Sequence, residues 1–258
     1  MSGFPDNPGV IFGAEKGEYQ GFVRWDFTVD GRDCILIEPR SPTEGFRWIW
    51  KAEFFQAFPK FDLAMLERGW WLAFMNVGNT FGCPDAMDHF DAFYSEMVSK
   101  GGFSSLPVLE GLSRGGLYIY NWAIRDPSRV GMLYADNPVC DFKSWPGGRG
   151  VGPGSAVDWE KLLKDYHFTD TKDALDWEGN PIDHLPELLR SGVPIVHVYG
   201  DADEIVPWEE NTGIMIQISE RMGNPIHAIR KPGARHHPHG PEDTVAFSAL
   251  IVEHCRNK

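Results

Sequence analysis

The sequence predicts an α/β fold, a mostly parallel central sheet of about eight strands flanked by helices. Three observations lead there. Strand-like runs recur along the chain with helix-like segments between them, the pattern of parallel strands joined by helical crossovers. The length of 258 residues suits one large domain of this kind. Hydrophobic residues make up 42% of the chain, enough for a substantial core. Residues 1–258 are therefore read as a single domain, with a lid-like insertion at about 143–192.

The chain opens differently from the rest. Residues 19–29 and 33–39 flank Asp30-Gly31, a dipeptide that favours a two-residue hairpin turn. Residues 46–50 form a third strand, and a short helix at 62–68 ends at Gly69, where a left-handed cap fits. A strand at 70–75 follows. Residues 85–100 carry helical apolar spacing through Met87, Phe90, Phe93, Tyr94 and Met97. A short buried strand at 106–109 leads into a glycine-rich turn and a helix at 115–125, which Pro127 helps to stop. After a strand at 130–135 the alternation breaks. Residues 143–192 are rich in Gly, Pro, Trp and Asp, with helical pieces at 159–166 and 185–191. A strand at 195–199, a helix at 208–222, a strand at 226–230 and a helix at 243–255 complete the set.

The net charge of -13 argues against a nucleic-acid partner, because phosphate binding needs clustered Lys and Arg, and it disfavours an anionic membrane surface. Cys34, Cys83, Cys140 and Cys255 are scattered, with no C-x-x-C pair, and read as free thiols filling small buried gaps. The first residues show no basic stretch followed by an apolar one, and no apolar run approaches a membrane span, so a cytoplasmic protein is expected, a secreted one already trimmed of its leader being the alternative.

Chemistry enters at Gly111-Leu112-Ser113-Arg114-Gly115, which fits G-x-S-x-G between a strand and a helix, as a nucleophile elbow requires. Such a turn strains the serine backbone, and Gly111, Gly115 and Gly116 supply room around it. The helix N-terminus points N–H groups at an oxyanion forming beside Ser113. The bland reading, a serine capping a helix in a glycine-rich turn, weakens once strand, turn and helix stand in order. A serine hydroxyl also needs a base and a carboxylate to fix that base. After the strand at 195–199 comes Gly200-Asp201-Ala202-Asp203-Glu204-Ile205-Val206-Pro207. After the strand at 226–230 comes Lys231-Pro232-Gly233-Ala234-Arg235-His236-His237-Pro238-His239. Ser, Asp and His thus follow one another in the order this fold uses, each after its own strand.

Over nearly its whole length the chain resembles the α/β-hydrolase superfamily. Gly200-x-x-Asp203-x-x-Val206-Pro207 resembles the family's acid loop, which implies Asp203 as the triad carboxylate and leaves Asp201 to hold the turn. The stretch around Gly233 and His236 resembles its histidine loop, except that Arg235 stands where a glycine often precedes the histidine; His237 and His239 remain alternatives to His236. Asp136, which ends the preceding strand, is the alternative acid. A metal site on His236, His237 and His239 is the other reading of that loop, since imidazoles suit zinc. Their spacing follows no established zinc pattern and no obvious carboxylate or thiol partner stands nearby, so neither metal nor other cofactor is expected. By resemblance, backbone N–H groups near Lys51 or Ala52 would complete the oxyanion hole with that of Arg114, whose side chain is read as one half of an ion pair with Glu110 or Asp136.

These residues imply a serine hydrolase cleaving carboxylic esters through an acyl-enzyme, a peptidase or amidase using the same triad being the runner-up. The rival from another class is a binding protein on a catalytically dead hydrolase fold. The insertion carries Trp145, Trp159, Tyr166 and Trp177 with Asp141, Asp158 and Asp170 interspersed, and flat aromatic faces beside carboxylates suit sugar rings. A short-acyl esterase acting on acetylated carbohydrate is the expectation, with Trp145 and Trp50 as substrate-binding side chains. The same tryptophans would equally serve to close a small core for the insertion itself.

Overall fold

The computed structural model describes residues 8–256. In chain order the strands are β1 (Glu15–Tyr19), β2 (Phe22–Val29), β3 (Arg32–Glu38), β4 (Trp48–Lys51), β5 (Trp71–Met75), β6 (Val108–Leu112), β7 (Met132–Asp136), β8 (Ile195–Gly200) and β9 (His227–Lys231). The helices are α1 (Pro8–Ile11), α2 (Lys60–Glu67), α3 (Pro84–Ser95), α4 (Gly115–Arg125), α5 (Ala156–Asp165), α6 (Thr171–Asp176), α7 (Pro181–Arg190), α8 (Thr212–Arg221) and α9 (Thr244–His254). One sheet holds the nine strands in the order β1-β2-β3-β5-β4-β6-β7-β8-β9. Pairing is antiparallel from β1 to β5 and parallel from β5 through β9.

Among the described residues nine strands replace the expected eight, because residues 15–29 fold as two strands. The turn between them uses Gln20 and Gly21, both at positive φ (52° and 81°), and Gln-Gly lacks the Asn or Asp that marks such turns in a sequence. The next turn, Asp30-Gly31, has the same geometry (51° and 72°) and was legible. Strand β6 begins two residues later than the sequence suggests and runs on to Leu112, so it delivers the chain directly to Ser113; all five of its residues are buried, as in a parallel strand covered on both faces.

Each face of the sheet carries its own core. On one, Phe90 and Phe93 of α3, Tyr118 and Trp122 of α4, Leu185 and Leu188 of α7, and Met215 of α8 pack over Trp48, Trp50, Leu109 and Leu133. On the other, Phe61, Met65 and Leu66 of α2 and Phe247 and Ile251 of α9 cover Ile49, Leu72, Val108 and Tyr134. Helix α7, within the stretch read as an insertion, therefore packs in the main core, whereas α5 and α6 do not. Leu162 and Ala174 of those two helices join a third cluster with Phe81, Leu117, Val139, Phe142 and Val206. The four cysteines are buried and unpaired. Among the described residues no helix is long and apolar enough to cross a membrane.

Candidate active site

Ser113 follows β6 directly, with φ +53°, a left-handed conformation that is strained for any residue with a Cβ. Its backbone is held on both sides: the Ser113 N–H donates to the Asp136 carbonyl at 2.9 Å, and the Ser113 carbonyl accepts from Gly116 at 3.0 Å and Val139 at 2.9 Å. Two of the three glycines are demanded by close approach. A Cβ on Gly111 would lie 2.6 Å from the Gly115 carbonyl oxygen, and one on Gly116 2.6 Å from that of Val139. Gly115 differs from the expectation: a Cβ there would meet only Glu53 Cβ, at 4.0 Å.

The loops after β8 and β9 bring the acid and the histidine to this turn. His236 Nε2 lies 2.9 Å from Ser113 Oγ, and His236 Nδ1 lies 2.6 Å from Asp203 Oδ2. The second Asp203 oxygen accepts from the Ile205 and Val206 N–H groups, each at 2.9 Å, so the carboxylate is fixed at both ends. Asp203 and His236 are buried while Ser113 is half-buried. The alternatives fall elsewhere. Asp136 Oδ1 receives His239 Nδ1 at 2.7 Å, and Asp136 Oδ2 accepts from the Gly240 N–H and the Tyr134 hydroxyl. His237 is exposed and stacks on Phe58. Partial loss of solvent around its ring, followed by the neighbouring His236 and His239 imidazoles, lowers the His237 pKa.

Residues around the relay lock the loops together. Asp201 reaches across to the histidine loop: its carboxylate accepts from Arg230 and from the Gly233 N–H, which holds its pKa down, with Arg230 the larger cause. Asn137, just past β7 at positive φ, was missed in the sequence. Its amide accepts from the Gly200 N–H at 2.7 Å and donates to the His236 carbonyl at 2.9 Å, so one buried side chain pins both loops. The only sequence signal was a lone Asn at a strand's C-terminal end. Buried Lys231 donates to the carbonyls of Pro238 and Gly240 and steadies the return of the loop.

On the β4 side several expectations change. Ala52 N–H donates to the Glu110 carbonyl at 2.9 Å, so the sheet has claimed it and it is not an oxyanion donor. Lys51 is the last residue of β4 itself, and its fully buried ammonium donates to Asp62 at 2.7 Å and the Ala57 carbonyl at 3.0 Å, with Glu110 at 3.6 Å. Burial works against that charge, but Asp62 and Glu110 outweigh it and its pKa rises. Trp50 is no substrate platform: it is 1% exposed, wedged among Trp48, Phe90, Phe93 and Trp122. Arg114 does form an ion pair, with Glu53 rather than Glu110 or Asp136. Its Nε and Nη2 reach the Glu53 carboxylate at 2.7–2.9 Å, and the guanidinium lies over the Phe54 ring. Glu53 thus ties the residue after Ser113 to the loop after β4.

The aromatic side chains between residues 143 and 192 mostly pack within that stretch and on Phe81. Trp159 meets Phe142 edge-on and donates to Thr171, and the Tyr166 hydroxyl donates to the Phe81 carbonyl. Half-buried Trp145 packs against Phe81 in the same cluster, and Trp177, 37% exposed, leans on Tyr166 and Phe168. Asp170 caps α6 by accepting from the Asp173 N–H.

Comparison with known proteins returns structures only: no family model matches the chain, and no curated protein matches it. A puromycin-hydrolyzing peptidase from Mycobacterium tuberculosis superposes with TM-score 0.67 at 15% identity, over 93% of this chain and 39% of that one. A putative dipeptidyl aminopeptidase IV from Bacteroides ovatus gives 0.65 at 13% identity, over 96% and 36%. An acylaminoacyl peptidase from Pyrococcus horikoshii gives 0.62 at 14% identity, over 96% and 43%. The chain therefore spans less than half the length of these proteins. With nine strands, parallel from β5 onward, and Ser, Asp and His following β6, β8 and β9 in that order, it has the α/β-hydrolase fold.

Proposed function

We propose that the protein is a serine hydrolase that cleaves amide bonds in small peptide-like substrates, with Ser113 as nucleophile, His236 as base and Asp203 orienting that base. One observation carries the reading: an unbroken relay from Ser113 to His236 at 2.9 Å and on to Asp203 at 2.6 Å. Buried Asp203 holds the proton on Nδ1, which leaves the Nε2 lone pair facing Oγ. As Oγ bonds to the acyl carbon, its proton passes to Nε2, and the imidazolium formed is stabilised by Asp203. His236 then returns the proton to the leaving amine, and water repeats the sequence to release the acid. The Arg114 N–H at the head of α4 supplies one oxyanion donor. With Ala52 engaged in the sheet, the second falls to the first amides past it, those of Glu53 and Phe54.

The similar solved structures are peptidases, which favours amide over ester substrates. The short-acyl esterase expected from the sequence is thereby placed second, and its carbohydrate arm loses support, because the aromatic side chains it invoked pack on Phe81, Phe142 and Phe168. In this reading residues 143–180 wall the substrate site. Support comes from Val206 of the acid loop and from Phe81, 5.9 Å from the Arg114 guanidinium, which both pack into the insertion's cluster.

A panel of aminoacyl and dipeptidyl p-nitroanilides, run beside p-nitrophenyl esters of graded acyl length and acetylated oligosaccharides, tests the proposal. At least one anilide should be hydrolysed, and that activity should vanish in Ser113→Ala. Ester turnover with every anilide untouched would return the esterase reading.

A further inference from the structure

The histidine loop holds more imidazoles than a triad uses. A ring nitrogen from each of His236, His237 and His239 lies within 4.8 Å of the others. Their ring centroids form a near-equilateral set at 4.7, 4.9 and 5.0 Å. Two of the three are oriented by buried carboxylates through the same atom: His236 Nδ1 on Asp203 at 2.6 Å, and His239 Nδ1 on Asp136 at 2.7 Å. A carboxylate on one ring nitrogen fixes the proton there and turns the other nitrogen into a basic, aimed lone pair, the arrangement that supports metal-binding imidazoles. Both carboxylates come from elsewhere in the chain, Asp136 from β7 and Asp203 from the acid loop. His237, the third, is exposed, and the contact that holds its ring is the stack on Phe58 rather than a carboxylate.

The geometry points to an inhibitory zinc site formed by His236, His237 and His239, in which the metal takes the nitrogen that the nucleophile otherwise engages. This inference rests on His236 being the catalytic base. Three imidazole nitrogens with an open fourth position suit Zn²⁺. Tetrahedral Zn–N bonds of about 2.0–2.1 Å put ligand nitrogens roughly 3.3 Å apart, so the rings must close in from their resting spread. His236 Nε2 cannot face Ser113 Oγ at 2.9 Å and bind zinc at once. Occupancy and hydrolysis therefore exclude each other, and removing the metal restores the relay.

The test uses the full chain stripped of metal by a chelator. Calorimetric titration with Zn²⁺ should show one saturable site per chain. Fluorophosphonate labelling of Ser113 should fall in proportion to occupancy and recover on adding EDTA. His237→Asn should weaken zinc binding at least about tenfold, since losing a direct ligand costs no less than losing one of the outer partners that orient it, while leaving metal-free labelling intact. Ser113→Ala should bind zinc at least as tightly, since the competing hydroxyl is gone. Absence of saturable 1:1 binding, binding unchanged in His237→Asn, or undiminished labelling of the zinc-saturated protein would each overturn the inference. Failure of the metal-free protein to label at all would instead strike the triad reading beneath it.

Discussion

Asp203→Asn exchanges one carboxylate oxygen for an NH2 group at almost constant size, and the surroundings dictate which way the amide must turn. One Asp203 oxygen accepts from two backbone N–H groups, of Ile205 and Val206; the other faces His236 Nδ1. Asparagine has a single acceptor oxygen, and two donors outbid one, so its oxygen goes to the backbone pair and its NH2 to Nδ1. A donor facing Nδ1 forces the imidazole proton onto Nε2, which then points an N–H at Ser113 Oγ where a lone pair is needed. The ring stays in place but in the wrong tautomer. That error costs about 10⁴ in kcat in triads of this kind, equivalent to about 5.5 kcal/mol of barrier at 1.36 kcal/mol per tenfold. The assay is kcat on the best anilide or ester, with the melting temperature and circular dichroism spectrum showing that the variant is folded. A folded Asp203→Asn enzyme within tenfold of wild type would refute the assignment of Asp203. Asp136→Asn, tested alongside, should spare kcat far more, because Asp136 serves His239.

Two further outcomes follow from the packing. Gly116→Ala should destabilise the protein by about 1–3 kcal/mol, since its Cβ collides with Val139 backbone, whereas Gly115→Ala should be neutral or better at a helical position with 4.0 Å of clearance; equal melting temperatures for the two variants would contradict this steric account. Fully buried His197, between the Tyr120 hydroxyl at 2.6 Å and Thr212 Oγ1 at 2.9 Å, has its pKa lowered by burial from 6.5 to about 3. Above pH 6.5 both folded and unfolded chains carry it neutral; below that only the unfolded chain takes the proton, so this group removes about 1.4 kcal/mol of stability per pH unit down to about pH 3. His197→Gln should flatten the acid side of the stability–pH curve between pH 6 and 4, and an unchanged slope would show that another group governs it.

What was legible in the sequence was whatever depends on local order. Ser113, Asp203 and His236 each follow a strand, and Gly111-Leu112-Ser113-Arg114-Gly115 carries its own strain signature, so the order Ser, Asp, His could be read without coordinates, with Asp136, His237 and His239 left as alternatives. What depended on through-space partners could not. Nothing near Ala52 in sequence shows that its amide is spent on Glu110, and the alternation around Trp48 and Trp50 does not say that both indoles stack inward beneath α3 and α4. Arg114 was expected to pair with Glu110 of the strand before it or Asp136 of the strand after its helix, but the loop after β4 brings Glu53 to it instead. Asn137 and Asp136 act on loops about 100 residues further along the chain, which no local pattern encodes. The tryptophan-rich insertion suggested a sugar surface because composition does not reveal which face of a ring is covered; Phe142, Leu162 and Ala174 cover much of it.

The central claim is that Ser113 is the nucleophile of a working relay, and active-site labelling reads it most directly. The purified chain is treated with a fluorophosphonate, digested, and the adduct located by mass spectrometry. One phosphonyl group should sit on the peptide containing Ser113, at a rate that falls steeply in His236→Ala and to zero in Ser113→Ala, with both variants folded. A label on any other residue, or a folded wild-type protein that takes none, would contradict the account.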